Sequence, residues 1–316
     1  MKHLSKLAAA TAMMAVAPAA FAQVNVAFFL EWATPNQIAK VEKAYDDAMG
    51  VDVNWTNFDT GVGMSEAMLS GDIDISYSQG LAPFVTAVQQ GAPFKMVSIA
   101  VVYEANDCFV ADSLGISSDN ASELEGMTVA VPLNTMADFS FRKQMDALGV
   151  DTSTMTIVDQ APADGAVSLA DGSVAMACIF GGASAAAAGE VGTPIMSTAQ
   201  KADAGIGSFD VVSTTEEFAT NNPELLASFL AVTAEANAAF TGSDAQIEII
   251  AGDAGMSVET TAGQMAGFVF PTVEQQQADY CGEGGIAAAA AASLGLVFSG
   301  ESDSAQLADT IDCSFL

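Results

Sequence analysis

Histidine is almost missing from this chain. The only one, His3, falls in a leader, so the remainder has none for a Ser–His–Asp triad, a general base or a zinc ligand. Cations are nearly as scarce: eight Lys and Arg face 39 Asp and Glu, for a formal net charge of −31. Such a surface repels nucleic acid and anionic lipid, and it suits a salty exterior where screening limits self-repulsion. It says nothing about a substrate. Tryptophan occurs only at 32 and 55, which excludes a cage built from several indoles. Long apolar runs are also lacking after the leader. The longest late one, Ile286 to Phe298, contains Gly295 and falls short of a membrane span. Cysteines are few but even in number: Cys108, Cys178, Cys281 and Cys313.

What is present begins with residues 1–22. Lys2 and Lys6 form a positive start, Leu7 to Ala17 an apolar stretch, and Ala20-Phe21-Ala22 a small-x-small cleavage site. This predicts a signal peptide and export, with a bacterial periplasm as the destination. Removing it leaves six basic residues against 39 acidic, a charge near −33. In an oxidising compartment the four cysteines favour disulfides. Cys108 with Cys178, both at strand positions, and Cys281 with Cys313, stapling the tail, form the favoured pairing. Free buried thiols are the alternative. The remaining ~294 residues suffice for two α/β lobes with separate cores.

Residues 24–77 organise the rest. The run Val24 to Leu30 reads as a strand ending at Glu31-Trp32. Thr34-Pro35-Asn36-Gln37 follows as a helix cap with Pro at the first position and Gln at the capping-box position. A helix to Gly50, a strand at Val51–Trp55 and another at Asp72–Tyr77 complete an open α/β layer. Ligands of such layers sit beyond the carboxyl ends of the strands, where Glu31 and Trp32 fall. A second glycine-flanked helix start, Asp59-Thr60-Gly61-Val62-Gly63, offers backbone N–H groups to an anion. Ser76 to Gly80, including Gln79, adds small polar groups after the third strand.

Phe94 to Val102 is a further strand, interrupted at Tyr103-Glu104-Ala105-Asn106-Asp107. The same grammar then restarts: a strand at Met127–Val131, a turn at Pro132-Leu133-Asn134-Thr135, and a helix over 137–148. Strands at Thr156–Val158 and Val174–Cys178 follow, the latter ending in Ile179-Phe180-Gly181-Gly182. Ser208 to Ser213 reads as a second crossing strand. The expected organisation is lobe 1 from 24–102 and 213–316, with lobe 2, 103–212, inserted. Two crossings allow hinge closure around a ligand.

The chain resembles the solute-binding proteins of bacterial ABC importers. The resemblance rests on "VNVAFFLEW", "VNWTNFDTGVGMSEAMLSGDIDISYSQG", "ELEGMTVAVPLNTMADFSFRKQMDALGV", "ADGSVAMACIFGG" and "NNPELLASFLAVTAEA". Within them it is most similar to the nitrate/sulfonate/taurine class, especially taurine-binding proteins. That implies a two-lobed, type II-like periplasmic-binding fold with the ligand cleft between the lobes. It also implies a monomer that works with a membrane permease and a cytoplasmic ATPase, with no cofactor, metal or catalysis of its own. In relatives that bind taurine an acidic residue on the second crossing strand takes the ligand amine, and Asp210 matches it. Glu31 and Trp32 match the first cleft loop. Thr60, Gly61, Val62 and Gly63 and then Asn134, Thr135 and Met136 match the anion-binding turns. Gln79, Asn106, Asp107 and Phe180 complete the expected ligand contacts.

No basic residue falls at a predicted strand end, so the anionic end of the ligand must be met by N–H and hydroxyl groups. Asp210 and Glu31 favour a cation at the other end. A small zwitterion fits both, with taurine or another aminoalkylsulfonate first. A betaine or dimethylsulfoniopropionate is the alternative, held by cation–π contacts. An enzyme on the same fold is the different-class alternative. Asp210 as a hinge acceptor and Trp32 as a cover for the sheet end stay open.

Overall fold

The computed structural model describes residues 23–104, 106–282, 285–300 and 303–316. The expected signal peptide lies outside them. Ten strands form two sheets: β1 (Gln23–Phe28), β2 (Asp52–Asn57), β3 (Ile75–Gly80), β4 (Phe94–Glu104) and β10 (Gly207–Thr215) in one. The other holds β5 (Asp107–Ala111), β6 (Thr128–Val131), β7 (Thr156–Asp159), β8 (Met176–Ile179) and β9 (Gly192–Pro194). The first sheet runs β2-β1-β3-β10-β4 and the second β7-β6-β8-β5-β9. In each, parallel pairs come from strand–helix–strand units, while the strand that enters from the other lobe pairs antiparallel. This is the two-lobed α/β arrangement of type II periplasmic-binding proteins.

Period-2 alternation divides the first lobe's core between the two faces of its sheet. Val24 and Val26 of β1 and Val212 of β10 point into one apolar cluster, and Ala27 and Val211 into the other. β3 is buried along its whole length, as a central strand covered on both faces should be. Sheet membership moves the expected lobe edges. β4 continues through Glu104, and β10 begins at Gly207, so Tyr103, Glu104 and residues 207–212 belong to the first sheet rather than the second.

The expected single helix up to Gly50 is two, Asn36–Val41 and Ala44–Met49, divided at Lys43, whose φ is 60°. The break sets the second segment so that Tyr45 stacks on Phe229 with ring centroids 4.7 Å apart. Thr34 does not cap this helix by its hydroxyl. Instead the Thr34 N–H donates to Gln37 Oε1 at 3.0 Å, the reciprocal half of the expected box.

The C-terminal third returns to the first lobe. Its helices hold the loop after β1, where the Glu31 N–H donates to the Ala254 carbonyl and the Ala33 N–H to Gln264 Oε1. The tail covers the open edge of β4: Met96 N–H donates to Thr310 O and Asp312 N–H to Met96 O. Cys281 and Cys313 are joined, stapling that tail, and Cys108 is joined to Cys178 directly opposite it in the β5/β8 pair.

Candidate functional site

The carboxyl ends of β1 and β3 and the middle of β10 converge where the two lobes meet. A cavity lies there, lined by Phe29, Trp32, Gly61, Gly80, Pro83, Tyr103 and Asp210 from the first lobe. Asn106, Thr135, Met136 and Phe180 come from the second. Among the described residues, no Lys or Arg lines it.

Asp210 is the only charged group in this lining, and it is 3 % exposed. Tyr103 donates to its Oδ1 at 2.8 Å and Ser78 to its Oδ2 at 2.9 Å. Ser78 in turn accepts from the Trp32 indole N–H at 2.9 Å. Burial pushes the Asp210 carboxyl up to about 7, and the bonds from Tyr103 and Ser78 only partly offset this. Burial and the neighbouring Asp210 charge likewise push the Tyr103 hydroxyl up. Each carboxylate oxygen takes one protein bond and keeps lone-pair capacity for a ligand. Trp32 and Tyr103 of the lining lie 5.0 Å apart, and Phe268, outside the lining, lies 4.8 Å from Trp32, centroid to centroid.

Two helix starts face the cavity from opposite lobes. The Gly61–Ser70 helix is capped by Thr60, whose hydroxyl accepts from Gly63 N–H. The Met136–Ala147 helix is capped by Thr135, whose hydroxyl accepts from Ala137 and Asp138 N–H groups. First-turn N–H groups have no intrahelical acceptor, which leaves those of Gly61, Val62 and Met136 for another partner. A Cβ at Gly61 would come within 2.6 Å of Pro83, so glycine is required for this close approach. Gly80 is tight too, since a Cβ there would meet Met136 at 3.0 Å.

Of the expected contacts, the structure brings Trp32, Gly61, Asn106, Thr135, Met136, Phe180 and Asp210 to one cavity. The others are placed otherwise. The Glu31 carboxylate turns to the second lobe, where Oε2 accepts from Ser184 N–H at 2.8 Å and Ser184 Oγ–H at 2.6 Å. Its carbonyl accepts from Gly182 N–H at 2.8 Å, so the residue ties one lobe to the other. Thr60 and Gly63 form the helix cap. Gln79 is spent inside the first lobe: its Nε2 donates to the Gly61 carbonyl and Ser65 Oγ, and its Oε1 accepts from Ser213. Asp107 pairs with Lys201 at the mouth of the cleft, beside the cavity. Val62 and Asn134 face a separate outer groove. Sequence reasoning missed Phe29, Gly80, Pro83 and Tyr103. Tyr103 carried the available signal, a tyrosine at the end of the strand that pairs with the one holding Asp210.

Among the described residues, three of the four non-glycine residues at positive φ are Glu31 after β1, Ser78 within β3 and Asn134 after β6, at 57°, 61° and 59°. The backbone is thus held in sparsely populated conformations where side chains must be aimed. No group of side chains suited to a metal occurs among the described residues, and no described helix is long and apolar enough to cross a membrane.

Residues 36–245 match the family model described as NMT1/THI5 like. The taurine-binding periplasmic protein of Escherichia coli (strain K12) is 23 % identical over 257 residues, covering 79 % of each chain. The alkanesulfonate-binding protein SsuA from Xanthomonas axonopodis pv. citri, solved with MOPS bound, superposes with a TM-score of 0.71 at 17 % identity. That match covers 93 % of this chain and 99 % of SsuA. The nitrate-binding protein NrtA from Synechocystis PCC 6803 gives 0.63 at 16 % identity, over 76 % of this chain and 68 % of NrtA. The chain belongs to the NMT1/THI5-like family and has the two-lobed fold of the solute-binding proteins it superposes on.

Proposed function

We propose that this protein captures taurine or a related small aminoalkylsulfonate and hands it to an ABC permease driven by a cytoplasmic ATPase. The observation that carries the reading is the buried Asp210 carboxylate in a cavity without a basic side chain. A cation answers Asp210, and the helix starts at Gly61 and Met136 answer an anion through backbone N–H groups. A ligand carrying both charges matches the two ends at once. A bare anion such as nitrate would leave the Asp210 charge uncompensated, which is costly at such burial. The names of the taurine- and alkanesulfonate-binding relatives support a sulfonate as the anionic group. The working unit is a monomer released by cleavage after Ala22. Its lobes close about the crossings near Asn106 and Gly207.

A quaternary ammonium or sulfonium zwitterion is the second reading, favoured by the Trp32 and Tyr103 rings that line the cavity with Asp210. Methyl groups on the cation would gain from those faces but give up the N–H bonds to Asp210. Calorimetric titration of the purified protein with taurine, its N-trimethylated analogue, betaine and nitrate separates the readings. Saturable binding strongest for the primary amine is expected. Tighter binding of the methylated analogue would replace taurine with the second reading, and binding of nitrate alone would remove both.

A further inference from the structure

Behind Trp32 lies a second, smaller cavity. It shares Phe29 and Trp32 with the cleft and extends past Phe28, Thr34, Gln37 and Lys40 to Trp55 and Tyr77. Three groups in its wall, Gln37 Nε2, Trp55 Nε1 and the Tyr77 hydroxyl, are buried without a hydrogen-bond partner among the described residues. Gln37 and Tyr77 are 3 % and 2 % exposed. Groups so buried are normally satisfied, and leaving them unmet is costly.

The chemistry of that wall is one-sided. The Gln37 amide is oriented by its Oε1, which accepts from Thr34 N–H, so its NH₂ is the end left without a partner. An indole N–H can only donate. Thr34 stands beside the Tyr77 oxygen but gives its own proton to Asn36 Oδ1 at 2.6 Å. The Lys40 ammonium sits 3.4 Å above the Phe28 ring centroid and 5.6 Å from that of Trp55. Its counter-charge, Asp253, bonds to it at 2.9 Å but does not line the cavity. Of the acceptors in the wall, Asn36 Oδ1 already serves Thr34, and Ser78 Oγ already serves Trp32.

We propose that this cavity binds one small monovalent anion of halide size, held by the Gln37, Trp55 and Tyr77 donors beside the Lys40 ammonium. A water molecule would have to place two hydrogens among groups that are mostly donors, whereas a halide only accepts. The free space there is of the order of one water-sized sphere. The site is separate from the solute cavity. Its occupant would brace the back of Trp32, whose indole N–H feeds the Ser78–Asp210 chain.

The test is a bromide derivative of the full mature protein. An anomalous difference peak within hydrogen-bonding distance of both Gln37 Nε2 and Trp55 Nε1 is expected. At constant ionic strength, replacing gluconate by chloride or bromide should raise the melting midpoint by about 2–4 °C, and Trp55→Phe or Tyr77→Phe should abolish that difference. Ordered water at the site without anomalous signal, or a midpoint blind to the anion, would overturn the proposal. The bromide map needs only the wild type, so it decides the matter even if a substitution prevents folding.

Discussion

The two lobes share a construction and divide the labour unequally. Each is a five-stranded sheet with helices on both faces, and each sends a helix start to the cleft. The first lobe supplies the charge, Asp210, together with Tyr103, Trp32 and Phe29 around it. The second supplies Thr135, Met136, Phe180 and Asn106, with no charged side chain in the cavity. Under the proposed function the residues around Asp210 would read the solute and the second lobe would close over it, with Glu31 and Ser184 bonded across the two lobes. Substitutions should fall into two classes: changes around Asp210 alter which solute binds, and changes at the Glu31–Ser184 contact or in the second lobe alter how firmly the lobes shut.

The largest effect is expected from Asp210→Asn. Removing a charged hydrogen-bond partner is worth about 1.5–3 kcal/mol, so taurine affinity should fall roughly 10- to 150-fold by calorimetry. Undiminished affinity in a folded variant would break the division between lobes at its strongest point.

Next comes pH. The folded Asp210 carboxyl titrates near 7, above its ordinary 3.8, so the empty folded protein holds this proton more tightly than the unfolded chain. Its contribution to stability is full below the unfolded value, declines as pH rises and is lost through about 7. Binding a cation runs the other way, because it needs the carboxylate. Between pH 8 and pH 6 taurine affinity should drop by roughly tenfold while the apo protein becomes more stable. Asp210→Asn should flatten both trends. Matching titrations and melts across that range would check it, and affinity independent of pH would contradict the assignment.

A smaller effect belongs to the latch. Glu31→Gln keeps the size but removes the charge that Ser184 serves, so affinity should weaken by about three- to tenfold. Small-angle scattering should show a larger radius with solute present, and the preference between amine and methylated ligands should not change. A change in preference instead would place Glu31 with the solute-reading residues around Asp210. Met136→Leu should cost least, within about threefold in affinity, since it conserves volume and loses only the contact from the Ala82 N–H to sulfur.

The fold was readable because its signals are local. The apolar run of β1 and the glycine-flanked helix start at Thr60-Gly61 each act within a few residues. Asp210 is singled out by the resemblance, which matches it to an acidic residue on the second crossing strand. What escaped depended on distant partners. Glu31 looks like a cleft residue from its position after β1, yet a backbone φ of 57° and the donors of Ser184 turn it across to the other lobe. Gln79 follows a strand end as a ligand residue would, but Gly61 and Ser213, far off in the chain, consume its amide. The break at Lys43 leaves no mark in the helical periodicity, because it is set by where Tyr45 must pack.

The orientation of the solute across the two lobes is best tested by a crystal structure of the closed protein with taurine. The account predicts the ammonium within about 3.2 Å of Asp210, facing the Trp32 and Tyr103 rings, with the sulfonate oxygens on the N–H groups of Gly61 and Met136. A reversed solute, with the sulfonate toward Asp210 or the ammonium at the helix starts, would contradict it.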